Sequence, residues 1–206
     1  MYYFVLILSL VSAAPLNTQI KLVNQCGYTL QIGYQTNNAP HHHIIQVQDT
    51  HTLTVAHHWA GRIWAKASSG DYPATLAEFR LGELDYYDVS LVDGFNLPLR
   101  IEPQSTEHVE LRHCQPSGCL QLPSCPKDLQ VFDQHQLVAC ASPCSVYGTD
   151  DYCCTGTSGT SNTCTLNYYA QQVKQACPDV YSYAFDDATS VYGCKTHVYH
   201  VVFCPQ

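Results

Sequence analysis

Twelve cysteines in a chain of 206 residues constrain the fold more than any other feature of this sequence. Their number is even, and ten of them fall between Cys114 and Cys194. This density is typical of disulfide-stabilised secreted proteins, whereas metal-binding thiols usually occur as repeated C-x-x-C pairs, a spacing that these cysteines do not follow. We therefore predict six disulfides formed in an oxidising compartment, and we expect no metal centre and no cofactor.

The N-terminal residues resemble an export signal. Residues 4–11 are apolar, and the small residues Ser12, Ala13 and Ala14 follow them. This pattern predicts a signal peptide over residues 1–14, with cleavage after Ala13 or Ala14, and a secreted, extracellular chain from residue 15 to residue 206. The apolar run is too short to span a bilayer, and no later stretch is apolar enough, so we expect no membrane span.

The charge balance excludes one class of partner. Nine basic residues stand against seventeen acidic ones, and phosphate binding requires concentrated Lys and Arg, so nucleic acid is not an expected ligand. Several acids cluster between Glu78 and Asp93. Taken alone, such a cluster is most often a solvated face. A surface rich in Tyr, Gln, Asn, Thr and Ser is also compatible with carbohydrate contact, and we expect a monomer.

Short β-branched and aromatic segments follow one another through the first half of the chain, separated by Gly, Pro, Asn and Asp. The predicted strands are 20–23, 29–32, 44–47, 52–55, 62–65, 76–81, 86–92 and 108–111. Strands at this spacing predict a mainly β protein, a sandwich or flattened barrel. The last segment, 197–203, alternates again and is predicted to rejoin the sheet.

Residues 114–194 have a different character, because cysteines are frequent there and apolar alternation is rare. We predict a disulfide-rich subdomain of loops with one helix, beside a sandwich core formed by residues 15–113 and 195–206. Apolar residues recur at helical spacing from Leu166 to Cys177, with Asn167 as a suitable N-cap and Pro178 as the stop.

Several motifs occur in a fixed order along the chain. They are TLAEF at 75–79, YYDVSLVDGFNLP at 86–98, GRIWA at 61–65, YCC at 152–154, CPDVYSYAFDD at 177–187 and FCP at 203–205. Together they closely resemble the thaumatin-like family, also called pathogenesis-related family 5. The resemblance implies a thaumatin-like β-sandwich with a disulfide-rich, loop-and-helix subdomain.

The resemblance also implies how the cysteines pair. All twelve can be placed on the sixteen-cysteine pattern of the family. The implied bridges are Cys26–Cys204, Cys114–Cys194, Cys119–Cys177, Cys125–Cys140, Cys144–Cys153 and Cys154–Cys164. Between Lys66 and Thr75 the family usually has a long glycine-rich excursion with two further disulfides, whereas only eight residues remain here. This chain therefore resembles a shortened form of the family.

An acidic cleft between the sandwich and the disulfide-rich region is a further implication of the resemblance. Matched position by position, its residues fall on Arg62, Glu78, Asp88, Asp93 and Asp186. Alternation supports Glu78, because Ala77 and Phe79 point to the opposite side of their predicted strand. Asp88 and Asp93 have opposite parity, so both can reach one cleft only if the strand bends or ends between them.

Two carboxylates facing one cleft are the minimum for glycoside hydrolysis. We assign Glu78 as the candidate general acid and Asp93 as the partner carboxylate, with Arg62 holding the remaining charges by ion pairing. The resemblance implies a β-1,3-glucan-binding or antifungal protein that uses this cleft on a cell-wall polysaccharide, with endo-β-1,3-glucanase activity in some members. The alternative is an inhibitor or interaction protein that acts on another secreted enzyme, without glucan activity.

Two further sets of residues receive a structural interpretation. The histidines at 41–43, 51 and 57–58 are expected to lie on the surface rather than to bind a metal. Trp64, next to Ile63 in a predicted strand, is expected in the core rather than on a sugar-binding surface, and we give Trp59 no binding role either.

Overall fold

The protein is described here by a computed structural model that covers residues 17–37, 43–105 and 112–206, with side chains from residue 46 onward in the second range. The predicted signal peptide at 1–14, the histidines at 41 and 42, and the predicted strand at 108–111 lie outside the described residues. In the part of the chain that is described, no helix is long and apolar enough to cross a membrane.

Short strands make up most of the described structure. In chain order they are β1 (Asn17–Asn24), β2 (Leu30–Thr36), β3 (His43–Val47), β4 (Thr50–Ala56), β5 (Ala60–Lys66), β6 (Leu76–Arg80), β7 (Asp85–Ser90), β8 (Gly94–Phe95), β9 (Leu99–Pro103), β10 (Ser117–Cys119), β11 (Gln130–Asp133), β12 (Gln136–Ala141), β13 (Tyr192–Cys194) and β14 (Val198–Phe203). The helices are α1 (Pro143–Tyr147), α2 (Asp150–Cys153), α3 (Tyr168–Ala176) and α4 (Asp187–Ser190).

Two large sheets and one small sheet are formed by these strands. The five-stranded sheet has the order β10-β9-β14-β1-β4, the six-stranded sheet β13-β7-β6-β5-β2-β3, and the small sheet β11-β12-β8. All pairs are antiparallel except β1 and β14, which run parallel and bring the last strand back beside the first. The sheets do not close on themselves, so the architecture is an open sandwich, and the prediction of a mainly β fold is confirmed.

The core lies between the two large sheets and follows from strand alternation. In β5 the inward residues Ile63 and Ala65 are 0% and 1% exposed, and in β14 Tyr199 and Val201 are fully buried. The Asp85 carboxylate is buried beside Tyr199. Asp85, 2% exposed, accepts a hydrogen bond from the Tyr199 hydroxyl at 2.7 Å and another from the Gly82 backbone N–H at 2.9 Å.

Six disulfides join Cys26 to Cys204, Cys114 to Cys194, Cys119 to Cys177, Cys125 to Cys140, Cys144 to Cys153 and Cys154 to Cys164. These are the pairs that the family resemblance implies. The first of them links residues 178 positions apart at the adjacent ends of β1 and β14. It therefore reinforces the parallel pairing that closes the fold.

Three features of residues 114–194 compare directly with the sequence analysis. The predicted helix is confirmed as α3, since the Asn167 side chain accepts from the Ala170 N–H at 3.0 Å and the helix ends at Ala176. The hairpin of β11 and β12 was not predicted. Because β10 joins the five-stranded sheet and β13 the six-stranded sheet, this segment also completes both sheets. The subdomain boundaries stay a prediction.

Candidate functional site

A row of polar residues crosses the six-stranded sheet on the face away from the core. Gln35 of β2 is opposite Arg62 of β5, Arg62 is opposite Glu78 of β6, and Glu78 is opposite Asp88 of β7. We call these four residues the polar row. Each strand contributes one member because directly opposed residues of paired strands project to the same side of a sheet.

Glu78 occupies the middle of the polar row. Its neighbours Ala77 and Phe79 are buried at 0% and 3% exposure, so alternation sends the Glu78 carboxyl outward, as predicted. Partial burial raises the pKa of Glu78, the nearby charge of Asp93 raises it further, and Arg62 and a hydrogen bond with Ser90 oppose the shift. The protonated form of Glu78 is therefore favoured relative to an exposed carboxyl.

Asp88 is the more deeply placed carboxyl. Burial raises its pKa well above the ordinary value, and the charges of Glu78 and Asp187 act in the same direction. One of its oxygens, Oδ1, is buried and has no hydrogen-bond partner among the described residues. Burial thus favours the neutral form of this carboxyl, and an approaching ligand can satisfy its unpaired oxygen.

A tight turn brings Asp93 to the same place. Strand β7 ends at Ser90, and the Gly94 N–H donates to the Leu91 carbonyl at 3.1 Å. Gly94 has a φ of +114°, and a Cβ there would lie 2.3 Å from the Cys140 carbonyl oxygen, so only glycine fits. The strand thus ends between Asp88 and Asp93, which is the condition under which both reach one cleft.

These carboxyls line a common depression of about 340 Å³, which we call the acidic pocket. Its lining residues are Glu78, Asp88, Ser90, Val92, Asp93, Tyr181 and Ala184. The Tyr181 and Ala184 side belongs to the disulfide-rich segment, and backbone hydrogen bonds in both directions join Tyr181 to β7 and the residue after it. The pocket therefore lies where the sandwich meets that segment, the position expected for the cleft.

A larger depression of about 660 Å³ adjoins the acidic pocket at Asp93, which lines both. We call it the aromatic pocket. Its lining residues are Gln31, Gln35, Arg62, Trp64, Lys66, Ser69, Gly70, Asp71, Tyr72, Ala74, Leu76 and Asp93. Because the two pockets share Asp93, we refer to them together as the groove, and Arg62 belongs to the aromatic side of it.

Two predicted placements differ in the structure. Trp64 is not a core residue, because it lines the aromatic pocket while its neighbour Ile63 is buried. The Arg62 guanidinium hydrogen-bonds Gln35 (Nη2 to Oε1, 3.4 Å), and among the described residues it forms no close ion pair with a carboxylate. Arg62 therefore influences the cleft charges through space rather than by direct pairing.

Asp186 is the candidate residue that the structure places elsewhere. It is 4% exposed, lines neither pocket, and forms an ion pair with Lys174 of α3 at 2.9 Å. The Ser182 N–H and hydroxyl and the Thr189 hydroxyl donate to the same carboxylate. These contacts use its hydrogen-bonding capacity inside the protein, so the structure places Asp186 apart from the other four candidates, and its role in the cleft stays a prediction.

Family membership follows from the match between this chain and known sequences. Residues 66–205 match the model of the thaumatin family. The chain belongs to the thaumatin family. The pathogenesis-related thaumatin-like protein 3.5 of Cryptomeria japonica is 35% identical over 220 residues, which cover 91% of this chain and 90% of that protein.

Two further comparisons concern glucan enzymes. A Prunus avium protein named glucan endo-1,3-beta-glucosidase is 39% identical over 153 residues, covering 71% of this chain and 61% of that protein. A laminaripentaose-producing β-1,3-glucanase, solved in complex with laminaritetraose, superposes with a TM-score of 0.67 at 10% identity, covering 93% of this chain and 99% of its own. At that identity the likeness establishes a shared fold. With six disulfides, this thaumatin-family chain has fewer than the usual eight.

Two residues of the site escaped the sequence analysis. Tyr181 lines the acidic pocket, and its hydroxyl donates to the Asp187 carboxylate at 2.6 Å. Asp187, which is exposed, follows the buried Asp186 and acts electrostatically on Asp88. The two aspartates of the family motif therefore have different roles in this chain. Asp186 is structural, whereas Asp187 contacts the pocket residue Tyr181 and acts on Asp88 through its charge.

The arrangement is suited to a neutral, hydroxyl-rich ligand. Protonated carboxyls both donate and accept hydrogen bonds, and the side-chain amides of Gln31 and Gln35 do so as well. Trp64 is among the residues that line the larger pocket of the groove. Among the described residues, no group of three or more His, Cys, Asp or Glu side chains is placed to hold a metal ion.

Proposed function

We propose that this thaumatin-family protein binds a β-1,3-glucan chain in the groove formed by the acidic and aromatic pockets. The observation that carries this proposal is the convergence of Glu78, Asp88 and Asp93 in one pocket beside a larger aromatic one. Raised pKa values at Glu78 and Asp88 favour neutral carboxyls, which suit an uncharged polysaccharide better than a cationic ligand.

Hydrolysis of the bound glucan is the chemical extension of this proposal. Glu78, whose pKa is raised, donates its proton to the oxygen of the glycosidic bond that breaks, and so acts as general acid. Asp93, an exposed residue of the same pocket lining, has one of two roles. It attacks the anomeric carbon and forms a glycosyl-enzyme that water then hydrolyses, or it activates a water molecule that attacks this carbon directly. The Prunus avium relative, whose name specifies this reaction, supports testing for it.

The setting that we propose is extracellular. Six disulfides are stable in an oxidising compartment and are unusual in a reducing one. Together with the signal peptide predicted from residues 1–14, they favour secretion, after which the protein would meet cell-wall polysaccharide. An export assay with residues 1–14 removed tests this part independently of the groove.

Binding and cleavage are tested together with an insoluble β-1,3-glucan pull-down and with reducing-sugar release from laminarin. The double variant Glu78→Gln/Asp93→Asn should lose both binding and release. The matched control is Glu83→Gln/Asp133→Asn, which neutralises two carboxylates that line neither pocket and should behave as wild type.

The outcomes separate the candidate functions. Binding without sugar release leaves a glucan-binding protein and removes the hydrolytic step. Normal binding by Glu78→Gln/Asp93→Asn contradicts a role for the groove. If the wild-type protein shows neither glucan binding nor sugar release, the proposed function is wrong, and the inhibitor alternative is the one to test.

A further inference from the structure

Asp88 is a carboxyl of the acidic pocket whose hydrogen-bonding capacity the protein leaves partly unused. It lines the pocket, and its Oδ1 is buried without a hydrogen-bond partner among the described residues. The buried Asp85 differs, because the Tyr199 hydroxyl and the Gly82 N–H each donate to one of its two oxygens. Buried polar atoms are nearly always paired, so the wall of the pocket at Asp88 is a position where a ligand atom is expected.

The elements packed around Asp88 bring acidic and hydroxyl groups toward it. Strand β6 places Glu78 directly opposite, and α4 contributes Asp187, and both charges act on Asp88 in the same direction. The turn after β7 brings Asp93 to the same pocket, and the disulfide-rich segment brings Tyr181. The Tyr181 hydroxyl donates its hydrogen to Asp187 at 2.6 Å. The charges that act on Asp88 are therefore negative.

A counter-charge does not compensate for the missing hydrogen-bond partner. The ion pairs found among the described residues do not include Asp88. Arg62 of the polar row lies two strands away, because Glu78 separates it from Asp88 across the sheet, and neighbouring strands are about 4.8 Å apart. Burial beside like charges favours the protonated carboxyl, and the pKa of Asp88 is raised accordingly.

A protonated carboxyl differs from a carboxylate in the hydrogen bonds that it forms. It donates one O–H hydrogen bond and also accepts, whereas a carboxylate only accepts. A sugar hydroxyl both donates and accepts, so it complements the protonated form of Asp88. Ionisation removes the donor, and a ligand that covers the pocket would also exclude water from the new charge, which costs free energy.

We propose that Asp88, in its protonated form, donates a hydrogen bond to a hydroxyl of the bound glucan, so that the protein binds its ligand in acid and releases it as the pH rises. This inference rests on the proposed function and adds the regulation of the same site. Glu78 and Asp93 keep the roles given above, and Asp88 contacts the ligand without taking part in bond cleavage.

The dependence of glucan affinity on pH tests this inference. Calorimetric titration with laminarihexaose between pH 4 and pH 8 should give an affinity that falls by up to about tenfold per pH unit above the pKa of Asp88, because binding requires one proton there. NMR of the Asp88 side-chain carboxyl carbon measures that pKa in the free protein. The bound ligand should raise the pKa of Asp88 further, because it binds the protonated form.

Two substitutions of Asp88 separate the effect of its proton from that of its size. Asp88→Asn keeps a donor and an acceptor but cannot ionise, so it should still bind laminarihexaose, and the steep fall in affinity with pH should disappear. Asp88→Leu has a similar size but neither group, and should bind weakly at every pH. Glu83→Gln is the matched control, since Glu83 is exposed, lines neither pocket, and its loss should leave the wild-type profile.

Failure of this inference is distinguishable from failure of the proposed function. If the wild-type protein binds laminarihexaose equally at every pH, or if Asp88→Asn keeps the wild-type fall in affinity, the inference is wrong and the proposed function stands. The same holds if Asp88→Leu binds like the wild type while Glu78→Gln/Asp93→Asn loses binding. If the wild-type protein binds no laminarihexaose at any pH, both are wrong.

Discussion

Glu78 and Asp88 stand directly opposite each other in the register of β6 and β7, on the outer face of the six-stranded sheet. Like charges opposed across two strands destabilise a sheet, and partial burial increases the cost. Burial raises the pKa of both carboxyls. The charge of Asp93 also raises the pKa of Glu78, and the charge of Glu78 also raises the pKa of Asp88. The pair therefore lowers stability at neutral pH, and it creates a pocket in which the protonated form of both carboxyls is favoured relative to exposed ones.

Asp88→Asn should stabilise the protein at neutral pH. A raised folded-state pKa means that the stability associated with Asp88 is fully present below its unfolded pKa of about 3.9 and is lost as the pH rises through the folded value. The neutral amide avoids that loss. We expect a gain of about 1 kcal/mol or more in unfolding free energy at pH 7, and almost none near pH 3.

Urea denaturation at both pH values measures this gain, with Glu83→Gln as the control. Glu83 is exposed, and its neutralisation should change stability little at either pH. An equal gain at both pH values would contradict a titration effect at Asp88.

Substitutions on either side of Glu78 should move its pKa in opposite directions. The Asp93 charge raises the pKa of Glu78 and the Arg62 charge lowers it. Asp93→Asn should therefore lower the pKa of Glu78, and Arg62→Gln should raise it. The side-chain carboxyl carbon of Glu78, followed by NMR during a pH titration, reports both shifts directly.

Arg80→Gln serves as the control for the loss of a positive charge from the same sheet. Arg80 is exposed at the end of β6 and lies outside both pockets, so its removal should shift Glu78 much less than Arg62→Gln does. Shifts of the same sign in Asp93→Asn and Arg62→Gln would rule out the electrostatic arrangement described here.

The sequence was sufficient for those parts of the site that depend on strand parity. Alternation in TLAEF alone places Glu78 away from the core, and the glycine after Asp93 marks the end of the strand. Strand parity cannot predict the six disulfide pairs, because they join residues up to 178 positions apart. The family motifs predict these pairs. The same alternation extends to Leu99 and Ile101 of β9, where the prolines before and at the end of the strand concealed it.

Other residues could not be placed without the structure, because their environment is created by distant segments. Trp64 is a large aromatic residue of a type common in cores, and the burial of its neighbours Ile63 and Ala65 in the structure shows that it lies on the outer face. Asp186 and Asp187 are adjacent and chemically identical. Which of them is buried depends on Lys174, which reaches Asp186 from α3.

Removal of Lys174 should expose the structural role of Asp186. The Lys174 ammonium contacts the Asp186 carboxylate and the carbonyls of Pro178 and Val180 at 2.7 to 3.1 Å. Lys174→Met leaves a buried carboxylate without its counter-charge and should cost about 3–5 kcal/mol in thermal or urea unfolding.

The double variant Lys174→Met/Asp186→Asn is the control, because it removes the unpaired charge and should recover part of the loss. Asp186→Asn, under conditions where it is folded, should bind glucan like the wild-type protein, because Asp186 lines neither pocket. A selective loss of glucan affinity in that variant would return Asp186 to the cleft.

The disulfides should differ in their contribution to stability according to the length of chain that they close. Cys26–Cys204 spans 178 residues and Cys144–Cys153 spans 9. On the chain-entropy model, replacing the first pair by Ala should cost about 2–3 kcal/mol more than replacing the second. Urea unfolding of the two double-Ala variants measures the difference, and equal costs would show that loop entropy does not control the stability of this fold.

Gly33→Ala should disturb the groove through Trp64 without changing any polar group. The new methyl would lie 2.3 Å from the indole Cε2, closer than such atoms approach, so the ring must tilt away from β2. We expect a loss of about 1–3 kcal/mol in stability and a changed Trp64 emission spectrum. Gly82→Ala is the matched control, because the nearest atom to a Cβ there is 3.6 Å away and its φ is not positive. Its stability and emission should stay close to wild type. Unchanged emission in Gly33→Ala would mean that the indole does not lie on this glycine.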